Sequence, residues 1–164
     1  MTKTRTDRLQ LVGDAPPHRF SRFPWFQGLK LDDITKLDYA FPVVDPGLRP
    51  LANRVLVQIR RVKDKTDGGV HLSDETKETE KWNEMTALVI SVGPLAYRDR
   101  STMEPWPEGA WCEPGDFVRV PKYGGDRTEV PMGAQMDPAL FVTIKDVEVI
   151  SMVTKNPLTI KTFV

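Results

Sequence analysis

The sequence predicts a small all-β domain flanked by an N-terminal arm and a short C-terminal tail. Three observations predict it. From Val55 onward apolar residues recur with a period of two, the signature of strands. Proline (14) and glycine (11) punctuate these runs at short intervals, as turns between short strands require. The 164 residues are 40% hydrophobic, enough for one packed core.

Residues 1–19 are polar, broken by Pro16 and Pro17, and read as an arm. Phe20, Phe23, Trp25 and Phe26 then crowd seven positions, where Pro24 blocks a regular helix. This aromatic run fits either a strap lying on its own barrel or an anchor into a neighbouring subunit, because aromatics dominate interface cores. A short helix is predicted over 31–39, capped by Asp32 or Asp33, with Ile34 and Leu37 as its apolar stripe. The turn at Asp45-Pro-Gly47 ends the arm. The predicted organisation is therefore an arm over 1–47, a barrel over 48–153 and a tail over 154–164.

In the barrel, Val55, Val57 and Ile59 alternate with Leu56, Gln58 and Arg60, as in a strand with one buried face. Residues 86–92 (TALVISV) are more continuously apolar and predict a strand covered on both faces. Gly93-Pro94 ends it. In EPGD at 113–116, proline presets φ and glycine tolerates the positive φ that follows, so a turn precedes the strand of Phe117, Val118 and Val120. A further turn is expected at 123–126. Two final strands are expected over 139–144 and 146–152, with a tight corner near Asp146. Short strands between turns imply a small barrel or sandwich.

These segments resemble, in order, those of GroES-type co-chaperonins. RPLANRVLV (49–57) resembles the opening strand of that family. TDGGVHL (66–72) falls where the family carries its mobile loop, and ALVISVG (87–93) resembles the strand that follows it. EPGDFV (113–118), KYGG (122–125) and FVTIKDVEVI (141–150) resemble the later turns and the closing strands. The resemblance covers about two-thirds of the chain and implies a GroES-like β-barrel, a homo-oligomeric ring (a heptamer in the family) and a lid over a GroEL-type chaperonin. With the divergence elsewhere, the chain looks like a bacteriophage-encoded relative acting in the host cytoplasm.

The resemblance also assigns a docking segment: Gly68, Gly69, Val70, His71 and Leu72. In an extended chain Val70 and Leu72 point the same way and would enter an apolar groove on the chaperonin. His71 departs from the family, whose middle residue is normally apolar. Read from the residues alone, Gly68-Gly69 also fits a plain hairpin turn. The stretch 97–112 falls where the family has a roof hairpin. Its Trp106 and Trp111 are expected to cover the barrel's own end, the alternative being contact with cargo or a neighbour.

Several function classes lack their residues. His18, His71 and Cys112 cannot assemble a common Cys/His zinc site, and neither a P-loop nor a Gly-x-Ser-x-Gly elbow is present, so no catalysis and no cofactor are expected. With one cysteine no internal disulfide can form, which suits a reducing compartment. No apolar run reaches the roughly 18–20 residues of a membrane span, and residues 1–14 lack the apolar core of a signal peptide. Lys plus Arg (23) balances Asp plus Glu (23), which disfavours a broad hold on nucleic acid, although Arg5, Arg8, Arg19 and Arg22 interleave with aromatics. An alternative reading is a virion structural protein, in which the arm and the alternating tail (156–164) join the same barrel to a capsid lattice as a decoration, cement or head–tail connector subunit.

Overall fold

The described strands form one antiparallel sheet. The structure, a computed structural model, describes residues 16–61, 73 and 84–161. The strands are β1 (Arg54–Ile59), β2 (Thr86–Val92), β3 (Phe117–Arg119), β4 (Asp126–Val130), β5 (Ala139–Lys145) and β6 (Ser151–Met152), in the order β4-β5-β1-β2-β3-β6. The expected all-β class is present, with one α-helix, α1 (Leu31–Ala40), and three short 3-10 helices among the described residues. β1 is central: Val55 faces Val92 of β2 and Ile144 of β5, and the β2 register shifts between Leu56 and Val57.

One face of the sheet packs Val55, Val57, Ile59, Val89, Val118 and Val142 into the main core. Residues 96–112 close one end of this core through Tyr97 and Cys112. The other face is also covered. Leu88 and Phe117 lie under Phe20, Leu37 and Phe41, while Leu56 and Phe141 lie under Val44 and Met132.

This overturns the expectation that β1 has one buried face. Leu56 and Gln58 are both buried, because the chain leaving α1 runs across them. Gln58 stays satisfied there by donating from Nε2 to the Pro42 carbonyl at 2.9 Å. The expected burial of β2 on both faces holds for Thr86 to Val89 and fades to half-burial at Ile90, Ser91 and Val92.

Two other expectations change. The helix forms, but its N-cap is Lys30 with no side-chain cap, and Asp32 and Asp33 sit in its first turn, where they favour the helix dipole. The closing strand expected over 146–152 is a 3-10 turn, Asp146–Glu148, followed by the two residues of β6. At Pro24 the structure has no α-helix but the short 3-10 helix Pro24–Gly28, which the proline starts and where its missing N–H removes nothing. β4 carries no apolar alternation (DRTEV) and exists through its pairing with β5, Arg127 opposite Val142 and Glu129 opposite Leu140.

Candidate functional site

The docking segment 68–72 lies outside the described residues. The structure shows the strand ends that carry it: Arg60 and Arg61 where the chain leaves β1, and Glu84 and Met85 where it enters β2. The Arg60 N–H donates to the Thr86 carbonyl at 3.0 Å, which continues the β1–β2 ladder past β1. The Arg60 guanidinium is only 14% exposed and meets Glu84, 9% exposed, at 2.9 Å. Its other terminal nitrogen donates to the carbonyls of Pro157 at 2.5 Å and Ile160 at 2.7 Å. Glu84 Oε1 accepts the N–H groups of Met85 and Thr86 at 3.0 and 2.7 Å.

Arg61 turns to the arm instead. It donates to the carbonyls of Tyr39 and Asp137, each at 2.8 Å, and its guanidinium lies 4.1 Å from the Tyr39 ring centroid. The Tyr39 hydroxyl in turn donates to Asp137 at 3.0 Å. None of this was legible in the sequence, where nothing local marks an Arg-Arg pair at a strand end or a glutamate in a polar stretch as clamped.

The arm aromatics converge on Phe117 of β3. Phe20 is 2% exposed and its ring lies 4.9 Å from that of Phe117. Phe23 and Trp25 lie 5.6 and 5.9 Å from the same ring, and Phe41, which follows α1, reaches it at 5.1 Å. Phe26 stacks on His18 at 4.8 Å. These rings are thus engaged on the chain's own sheet. The Trp25 indole N–H is buried and has no hydrogen-bond partner among the described residues.

The arm's arginines are engaged as well. Arg22 pairs with Asp116 at 2.9 Å, and Arg19 donates to the Phe41 carbonyl and lies 3.8 Å from Asp38. Burial lowers the Arg19 pKa, and Asp38 opposes that shift. Arg5 and Arg8 lie outside the described residues.

The insert is built around Tyr97, a residue with φ of 58°. Trp106 and Trp111 pack on its ring at 5.4 and 5.6 Å and on each other at 5.3 Å. Trp106 is half-buried against the main core, and Trp111 is 37% exposed. The Tyr97 hydroxyl donates to the Asp146 carbonyl at 3.0 Å and lies 3.4 Å from Cys112 Sγ. Asp146 is buried, and its carboxylate accepts the N–H groups of Tyr97 and Val147 at 2.9 and 2.8 Å. Sequence reasoning placed a corner at Asp146 but not its grip on the insert. Burial pushes the Cys112 thiol up, the opposite of an activated nucleophile. Among the described residues no cluster of three or more His, Cys, Asp or Glu could hold a metal ion.

The sequence model of one protein family, described as Chaperonin 10 Kd subunit, matches residues 47–152. Co-chaperonin GroES of Methylacidiphilum infernorum is 30% identical over 111 residues, covering 68% of this chain and 98% of that protein. Co-chaperonin GroES of Lawsonia intracellularis is 31% identical over 108 residues, 66% of this chain and 93% of that one. The mitochondrial 10 kDa heat shock protein of Saccharomyces cerevisiae is 32% identical over 107 residues, 65% of this chain and 89% of that one.

Proposed function

The chain belongs to the chaperonin 10 kDa subunit family, and from that premise we propose that it is a co-chaperonin, a ring-forming lid that binds a GroEL-type chaperonin and assists folding within the chamber. The observation that carries this reading is the extent of the family match, whose bounds, 47 and 152, enclose residues 68–72. In this reading Val70 and Leu72 are the apolar anchors, His71 faces away from the groove, and Gly68 and Gly69 allow the segment to take its bound shape. Each contact is weak, and a ring of identical subunits, seven by family, multiplies it. The protein performs no catalysis. ATP chemistry belongs to the partner, and the setting is the cytoplasm of the host.

Leu72→Asp places a charge in an apolar groove, and each such anchor is worth about 1.5–3 kcal/mol when fully buried. Capture of the purified ring by a GroEL-type chaperonin with ADP should fall at least tenfold, with the ring itself intact by native mass spectrometry. Capture equal to wild type would remove Leu72 from the docking role.

The relatives are covered almost end to end, yet they account for only about two-thirds of this chain. The additional arm and tail favour a bacteriophage-encoded relative, and they also support a second reading as a virion building block. Mass spectrometry of purified virions separates the two, since only a building block is present there at stoichiometric abundance.

A further inference from the structure

We propose that Arg60 is a latch through which the C-terminal tail sets the alignment of the two strand ends that carry residues 68–72. Its guanidinium joins β1, the entrance to β2 and the tail in one hydrogen-bonded unit. One terminal nitrogen holds the Pro157 and Ile160 carbonyls, and the other holds Glu84. Glu84 in turn fixes the N–H groups of Met85 and Thr86, which open β2. A planar guanidinium reaches these acceptors from two separate nitrogens, whereas a lysine ammonium would have to do so from one.

The tail is shaped for this contact. Asn156 accepts the Leu158 N–H at its Oδ1 (3.0 Å) and the Thr159 hydroxyl at its carbonyl (2.7 Å), forming the 3-10 turn Pro157–Thr159. That turn presents the Pro157 and Ile160 carbonyls to Arg60, while Leu158 and Ile160 pack against the outer apolar cluster. Without the tail, a largely buried guanidinium would keep one partner and lose two charge-assisted hydrogen bonds. It would turn toward water, and Glu84 Oε2 would lose its contact with Arg60. The tail's state is thereby coupled to the geometry of the docking stem. The latch stands on this geometry, and only its effect on chaperonin binding rests on the proposed co-chaperonin function.

The test is amide hydrogen exchange by mass spectrometry on the full chain, with chaperonin capture measured in parallel. Arg60→Met keeps the apolar stem and removes the donors. Exchange should speed about tenfold or more at residues 158–160 and at residues 85–88 together, the scale expected for lost charge-assisted hydrogen bonds. Asn156→Ala touches only the tail, outside the sheet, and keeps the test valid if Arg60→Met misfolds. It should move both regions in the same direction by a smaller factor. In both variants capture by a GroEL-type chaperonin with ADP should weaken several-fold. If loosening the tail leaves exchange at 85–88 unchanged, the latch is wrong. If exchange moves and capture does not, the coupling to docking is wrong. A wild-type chain that does not bind chaperonin removes the co-chaperonin reading, and the exchange data alone then decide the latch.

Discussion

Phe117 is the residue on which the arm depends, since Phe20, Phe23, Trp25 and Phe41 all contact its ring. Phe20→Ala should therefore cost about 3–5 kcal/mol, the usual range for emptying a buried aromatic site. Trp25→Phe should cost far less, because it deletes an indole N–H that is buried and has no partner among the described residues. Urea unfolding of the two variants checks the contrast, and equal losses would mean that Trp25 is held by something other than ring packing. Tyr97 and Cys112 give a pH prediction. Burial raises both pKa values, so the folded state keeps protons that the unfolded state releases. Their contribution to stability is complete below the ordinary thiol value of about 8.5 and declines as pH rises toward the raised folded values. The urea midpoint should fall between about pH 8.5 and 10.5, and Cys112→Ala should flatten the first part of that fall. Of the candidate residues, the arm aromatics were legible as a group because four rings in seven positions need a surface to bury against. Which surface was not legible, because Phe117 lies far along the chain. Arg60 and Glu84 were not legible at all, because nothing local distinguishes a clamped arginine from a solvated one.

At the scale of elements, strands with alternating or continuous apolar residues could be read directly, since that pattern is local. β4 could not, because a polar edge strand is defined by its partner's backbone. The junction of β2 with the segment before β1 depends on Gly93. A Cβ there would stand 2.3 Å from the Ala52 carbonyl oxygen and 2.8 Å from that of Arg54, both backbone atoms. The Gly93 N–H donates to that same Arg54 oxygen at 2.7 Å, so the approach is part of the ladder. Gly93→Ala should destabilise by at least about 1–3 kcal/mol, the range for overpacking. At Gly28 an added Cβ would meet nothing within 4 Å, and the backbone there is not in the left-handed region. Gly28→Ala should be neutral or stabilising by about 0.4–1 kcal/mol through the unfolded chain. Thermal melts of the pair test whether close approach, rather than glycine content, is what matters.

For the molecule as a whole, residues 16–47 of the arm form a second layer on the sheet. Removing residues 1–47 would bare Leu56, Leu88, Phe117 and Phe141, and would take from Arg61 its contacts with Tyr39 and Ala40. The shortened chain should bind a hydrophobic dye, self-associate and unfold with reduced cooperativity. A soluble chain with an unchanged melting temperature would show that the arm's packing contributes little. This layer is the main architectural feature that alternation could not predict, since the pattern of β1 describes which residues are apolar and not how many faces find cover. The layer also sets an order of events during synthesis. The arm leaves the ribosome before β3, and Arg22 and its partner Asp116 are 94 residues apart. The arm's rings therefore wait, uncovered, until β3 has been translated and paired, and their docking is a late step of folding that closes the sheet's outer face.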